Sequence, residues 1–175
     1  HIYLAGASGK GKSTFLKAIA GLYPSEGISL STKSKRIKPR NPETDKTLYL
    51  AQDPTILSRT IEENLVWGRK MTREEKIIIE TSGILAPIFQ QRSWTSRLTE
   101  NGADLSGGEK QRIALARILL SDAEIILLDE ATSSLDDEAA EKIMKYLKKH
   151  AEKRIIIYTS HKKEEQRFCD RTIAL

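Results

Sequence analysis

Two stretches of this sequence carry residue types that could do chemistry on a phosphate. The first, GASGKGKS at positions 6–13, matches G-x-x-x-x-G-K-[ST] at every fixed position. Gly6, Gly9 and Gly11 would let backbone N–H groups close round a β-phosphate at a helix N-terminus. Lys12 would reach the β- and γ-phosphates, and the Ser13 hydroxyl would ligate Mg²⁺. Ala7, Ser8, Lys10 and Thr14 complete the nucleotide-contacting loop and the start of its helix. The second stretch, IILLDE at 125–130, runs apolar residues straight into two acids. A buried strand ending in Asp129 would hold Mg²⁺ opposite Ser13. Glu130 has no metal role and is placed to polarise an attacking water as general base. Gln52 and His161 also follow strand-like runs. Taken singly, such residues are more often structural; what raises them is their projection to the same edge as the phosphate loop.

The elements that must position these groups are legible from periodicity. Residues 2–5 read as a short buried strand, followed by the glycine loop and a helix over about 13–20, closed by Gly21. Residues 48–51 are a second strand, ending at Gln52, and the pattern from 61 to 91 is helical, clearest over 71–81. A helix over 108–120 places Ile113, Ala116, Leu119 and Leu120 on one face. Residues 125–128 read as a fully buried parallel strand. The helix over 136–150 has acids at its start and bases at its end, complementing the helix dipole. Residues 155–159 form a strand that delivers Ser160 and His161. Strands alternating with helices predict a mainly parallel α/β sheet, with ligands beyond the carboxyl ends of its strands. Gly6, Gln52, Asp129 and His161 all fall there.

Composition sets the outer limits. The chain has 175 residues, 39% of them hydrophobic and 30% charged, which reads as globular rather than disordered. No apolar run approaches the roughly 20 residues that cross a bilayer. One cysteine, Cys169, rules out an internal disulfide and fits a reducing compartment. The net charge of +5 suits nucleic acid, but also a triphosphate. Residues 31–46 are polar and basic, with Pro39 and Pro42 breaking regular structure, and read as a solvated loop. Because the sequence opens at HIYLAG without a methionine and stops at RTIAL, both strand-like, it is expected to be a piece of a larger domain.

A further glycine loop, LSGGEKQR at 105–112, contains no evident catalyst. Together with GASGKGKST, YLAQDP, IILLDE, SSLD and the Ser160–His161 pair, in that order along the chain, it resembles the nucleotide-binding domain of ATP-binding cassette (ABC) transporters. The resemblance covers nearly the whole chain. It implies a P-loop NTPase core, about 1–57 and 121–175, and an α-helical subdomain, about 58–120, that carries the signature motif LSGGEKQR. It implies ATP and Mg²⁺ as ligands, with Gln52 beside Ser13 and Asp129 at the metal. Catalysis then falls to Glu130, His161 and Gln52. Two such domains would pack head to tail, with Ser106, Gly107 and Gly108 of one facing the γ-phosphate held by the other. The glycines would be bare so that two backbones can approach.

Finer features look exporter-like: Ala131 within DEATSSLD, TIEENLVWG at 60–68, and Glu100 and Gly102 just ahead of the signature. The implied partners are a second nucleotide-binding domain and transmembrane domains in the same full-length chain, at the cytoplasmic face of a membrane. No nucleic acid is expected. The sequence departs from the family in lacking the usual acidic turn after the second strand and in placing Arg59 where glycine is common. The adenine-stacking aromatic residue would precede His1. The runner-up reading is a soluble ABC-type ATPase acting on DNA or ribosomes. The short path from Lys12 to Ser106 leaves no room for the long coiled-coil insertions of chromosome-maintenance ATPases. A module that holds ATP without turnover is a third class, disfavoured by intact Glu130 and His161.

Overall fold

Short apolar runs become strands here, and each hands the chain to a helix or loop at one sheet edge. The computed structural model describes residues 1–23, 30–32, 35–37, 46–150 and 154–175. Strand β1 (Ile2–Ala5) passes through the glycine loop into α1 (Lys12–Ile19). Strands β2 (Leu30–Thr32) and β3 (Lys35–Ile37) pair antiparallel, with Leu30 opposite Ile37. Within the segment 31–46 expected to be an irregular loop, this ladder corrects the expectation for 31–32 and 35–37; residues 38–45 lie outside the described residues. Charge and downstream prolines suggested irregularity, but the two runs satisfy each other's backbone N–H and C=O groups by pairing. Pro39 and Pro42 lie outside the described residues.

Strand β4 (Thr47–Leu50) follows, and then the helical stretch, which is three helices rather than one. These are α2 (Ile61–Leu65), α3 (Arg73–Ser82) and α4 (Ala86–Phe89). Left-handed backbone at Trp67 (φ 54°) and Gly68 (φ 85°) stops the first, and Gly83 (φ 66°) stops the second. Capping boxes start the first two, Thr60 with Glu63 at α2 and Thr72 with Glu75 at α3, whereas α4 begins without a side-chain cap and carries a proline in its first turn. The chain then continues through α5 (Gly107–Leu119), β5 (Ile125–Asp129), α6 (Asp137–His150), β6 (Ile155–Thr159) and β7 (Arg171–Ala174).

Five strands make one parallel sheet in the order β4-β5-β6-β1-β7. Its two faces follow from the two-residue period of a strand. Ile2, Leu4, Tyr49, Ile125, Leu127 and Ile157 point to the side covered by Phe15, Leu16 and Ile19 of α1. Leu50, Ile126, Leu128, Ile156 and Tyr158 point the other way, into a core shared with Ile113 and Ala116 of α5 and Ile143 and Met144 of α6. Coverage of both faces explains why β5 and β6 read as continuous apolar runs, whereas the edge strand β7 is exposed at all four residues. No helix among the described residues is long and apolar enough to cross a membrane.

The larger core extends without a break into the 56–105 segment through Ile61, Leu65, Ile79, Leu85 and Leu98. A polar knot fastens that segment to α5. Arg117, only 6% exposed, donates to the carbonyls of Asn64 (2.8 Å) and Thr55 (2.9 Å), and its guanidinium lies 4.5 Å from the Trp67 ring. Burial pulls its pKa down to about 10, still well above neutrality. Asn64, fully buried, accepts from the Leu57 N–H (2.8 Å) and donates to the carbonyls of Leu57 and Thr60 (3.0 Å each). Removing this amide strands several buried groups. Asn64→Ala is expected to cost about 2–3 kcal/mol in urea unfolding. A loss under about 0.5 kcal/mol would mean that these groups find other partners.

Candidate functional site

The carboxyl ends of the central strands hold the predicted residues. Gly9 (φ 80°) and Gly11 (φ 84°) adopt left-handed backbone, and a β-carbon on either would meet nothing within 4 Å. The loop is therefore open on its outer side, with Gly6, Ala7, Ser8, Gly9 and Lys10 all exposed. Gly11 offers α1 no side-chain cap, and the first turn of α1 contains no acid. An uncapped helix start with unpaired amides and a positive dipole end suits an anion. Lys12 is held at this mouth, its Nζ donating to the carbonyls of Gly6 (2.8 Å) and Ala7 (3.0 Å). Ser13 and Thr14 are exposed in the same first turn.

Asp129 ends β5, is 5% exposed, and gathers hydroxyls from three other segments. Ser13 and Thr159 donate to Oδ1, and Tyr49 donates to Oδ2, each at 3.0 Å. Burial and the adjacent carboxylate push the Tyr49 phenol up, so it stays a donor. A hydroxyl beside a carboxylate oxygen is a donor set that suits Mg²⁺, which takes few protein oxygens and keeps others from water and phosphate.

Glu130 is one of three non-glycine residues in left-handed backbone among those described, at φ 51°. Its N–H donates to the Thr159 hydroxyl and its carbonyl accepts from the Ser133 N–H, both at 3.0 Å. This turn aims the side chain at His161, whose Nε2 lies 2.7 Å from Glu130 Oε1. A carboxylate oriented by an imidazole, one residue past a buried aspartate, can accept a proton from a water held nearby. Sequence reasoning singled out both residues; it did not foresee their contact.

Gln52 is exposed at the end of β4, near the site but without a described contact to Ser13 or Asp129. Ser106 is the N-cap of α5, and Gly107 and Gly108 are its first two residues. Ser106 caps α5: its Oγ accepts from the Glu109 N–H (3.2 Å) and donates to Glu109 Oε2 (2.8 Å). The two glycine-rich helix starts therefore differ, one uncapped and one satisfied by its own box. Gly107 and Gly108 are tight for a reason within the chain. A β-carbon at Gly108 would lie 2.9 Å from the Ser134 carbonyl oxygen, and one at Gly107 3.2 Å from the Ser134 hydroxyl.

Three residues at the site were missed: Tyr49, Thr159 and Gln111. Thr159 stands opposite Asp129 in the sheet register, a signal readable only once β5 and β6 are known to be neighbours. Gln111 lies inside LSGGEKQR, yet an interior helix position gave no hint of its burial.

The family model for ABC transporters matches residues 1–133. The chain is 34% identical to a probable ABC transporter ATP-binding/permease protein of Haemophilus influenzae, covering 97% of this chain and 32% of that one. It is also 34% identical to multidrug resistance protein pgp-1 of Caenorhabditis elegans, over 91% of this chain and 13% of the relative. Among solved structures, a bacterial Atm1-family ABC exporter with ATP bound superposes with a TM-score of 0.87 at 27% identity, over 99% of this chain and 32% of that chain. The chain thus spans a third or less of the length of these relatives.

The contact between α5 and Ser134 can be checked without any nucleotide. Gly108→Ala is expected to destabilise the monomeric domain by about 1–3 kcal/mol in thermal unfolding, because backbone rather than a flexible side chain must give way. An unchanged midpoint would leave no intrachain reason for this glycine.

Proposed function

This chain belongs to the ABC transporter family, and on that premise we propose that it binds and hydrolyses ATP with Mg²⁺ and dimerises to power export across a membrane. The observation that carries the catalytic reading is the pairing at one sheet edge of Ser13 with Asp129 (3.0 Å) and of Glu130 with His161 (2.7 Å). The amides of Gly6 to Thr14 and the Lys12 ammonium hold the triphosphate. Ser13 and Asp129 hold Mg²⁺, joined by Gln52 through the resemblance. When bound, the metal neutralises charge on the β- and γ-phosphate oxygens. Glu130 takes the proton from a water attacking the γ-phosphorus, and His161 keeps the Glu130 carboxylate aimed at that water.

Export as the work done is supported by the relatives, which include an ATP-binding/permease protein and a multidrug resistance protein, and by the exporter fold match. The transmembrane partner then belongs to the longer parent chain, and the domain works at the cytoplasmic face. Residues of about 58–120 act as the helical subdomain and the remainder as the nucleotide-binding core. The reading of a soluble ATPase on DNA or ribosomes has only the net charge of +5 in its favour, which a triphosphate site accounts for equally.

In the dimer, Ser106, Gly107 and Gly108 face the γ-phosphate of the second domain. The Ser106 hydroxyl then exchanges its Glu109 carboxylate for phosphate oxygen, a like-for-like swap of one anion for another at a helix start.

The general base is tested by Glu130→Gln in the full-length protein. ATP binding should persist while turnover falls by roughly 10²–10⁴-fold, and chelating divalent cations should stop turnover in the parent. Near-normal turnover in Glu130→Gln would move the role to another group. The trans assignment of the signature is tested separately. Ser106→Arg in the Glu130→Gln background should abolish ATP-dependent dimers in size-exclusion chromatography while leaving ATP affinity within about threefold, since the phosphate loop binds in cis. Dimers that persist would remove these residues from the interface.

A further inference from the structure

Gln111 is 2% exposed, yet it is a polar residue at the start of a buried helix face that Ala114, Leu115 and Ile118 continue. Its carboxamide is fully engaged by the loop that follows the acids of β5. Oε1 accepts from the Ser134 N–H at 2.8 Å, and Nε2 donates to the Ser133 hydroxyl at 2.9 Å. Ser133 in turn donates its own N–H to the Glu130 carbonyl at 3.0 Å, closing the turn that keeps Glu130 left-handed. The same Nε2 lies 3.5 Å from two further carbonyl oxygens, those of Glu130 and Gln52. One amide nitrogen thus stands between the backbones of two loops at the site. At 3.5 Å both contacts are at the limit of a hydrogen bond, so a shift of α5 by a few tenths of an ångström would make or break them.

We propose that Gln111 is a positioning residue: it clamps the Glu130–Ser134 turn and ties the seating of α5 to the placement of Glu130 and Gln52. The proposal rests on Glu130 being the general base. Its physical content is the cost of a left-handed glutamate. A non-glycine residue at such a φ is disfavoured by roughly 1–2 kcal/mol and persists only where surrounding bonds over-determine it. Thr159 holds the N–H side of Glu130, and the Gln111–Ser133 pair holds the carbonyl side. Helix α5 begins at Ser106, Gly107 and Gly108, where Gly108 packs against the Ser134 backbone. A displacement at the start of α5 therefore reaches the 130–134 turn by two routes, through that backbone contact and through the Gln111 carboxamide.

No other side chain of this size offers the same set. A carboxamide presents one acceptor and two N–H donors, whereas a carboxylate presents acceptors only. Gln111→Glu keeps an oxygen for the Ser134 N–H, and the Ser133 hydroxyl can rotate to donate. It turns the face toward the Glu130 and Gln52 carbonyls from donor to acceptor. Gln111→Leu removes every polar contact at similar volume.

The experiment is steady-state ATP hydrolysis by the full-length protein carrying each substitution, with Glu130→Gln measured alongside. Both Gln111 variants should lose at least about tenfold in kcat, while KM for ATP stays within about threefold, because the phosphate loop is untouched. Should Gln111→Leu fail to fold, Gln111→Glu alone decides. A kcat for Gln111→Glu within about threefold of the parent overturns the proposal, as does a KM that rises in step with the fall in kcat. Glu130→Gln separates the causes. Near-normal turnover there sinks the general-base reading and this proposal with it, whereas a dead Glu130→Gln beside active Gln111 variants sinks the positioning role alone.

Discussion

A single buried carboxylate organises this molecule. Asp129 sits at the end of β5, an interior strand between β4 and β6, and an unpaired charge at that depth would cost several kcal/mol. Three hydroxyls answer it: Ser13 from the start of α1, Tyr49 from β4 and Thr159 from β6. Each comes from a different strand unit, so satisfying Asp129 pins the phosphate loop, the Gln52-bearing strand end and the His161-bearing strand end to one point. The charge is held by donors alone, leaving it able to take a cation in place of a hydroxyl proton.

Everything nearby is arranged around the residue that follows. Glu130 takes a left-handed conformation that sends its side chain toward His161. Two adjacent acids on an ordinary extended strand would point to opposite faces. The turn breaks that alternation and brings both to the same edge. Strain at this one residue is the local cost of turning two adjacent carboxylates toward one sheet edge.

The two glycine-rich helix starts illustrate how similar composition serves different ends. At α1 the glycines leave the amides bare and the backbone open outward. At α5 the serine caps its own helix and the glycines are pressed against Ser134. The first loop is ready for an anion as it stands. The second is a packed joint between α5 and the 130–134 turn, and the Arg117–Asn64 knot fastens the far half of the same helix to the 55–67 segment. Helix α5 thus links the start of the signature, the acids of β5 and the helices that follow β4.

The sequence alone determined the local pieces and their chemistry. Gly6–Ser13 is a contiguous motif whose residue types are dictated by one ligand, and IILLDE announces a buried strand ending in acids because both sheet faces are covered. Such features need only neighbours along the chain. The 61–91 stretch was only half legible: its apolar period is helical throughout, but Trp67 and Gly68 break it through left-handed backbone that periodicity does not register. The ladder at 30–37 was hidden for a related reason, since pairing partners rather than composition made it. What tertiary structure decided were contacts between distant segments: Thr159 and Tyr49 on Asp129, His161 against Glu130, and the Gln111 carboxamide among the 130–134 backbone. These depend on β5 lying between β4 and β6 and on α5 packing over the sheet. Strand order is a property of the folded chain, because parallel neighbours are set by packing of the whole, and only then does a hydroxyl on one strand find a carboxylate on the next.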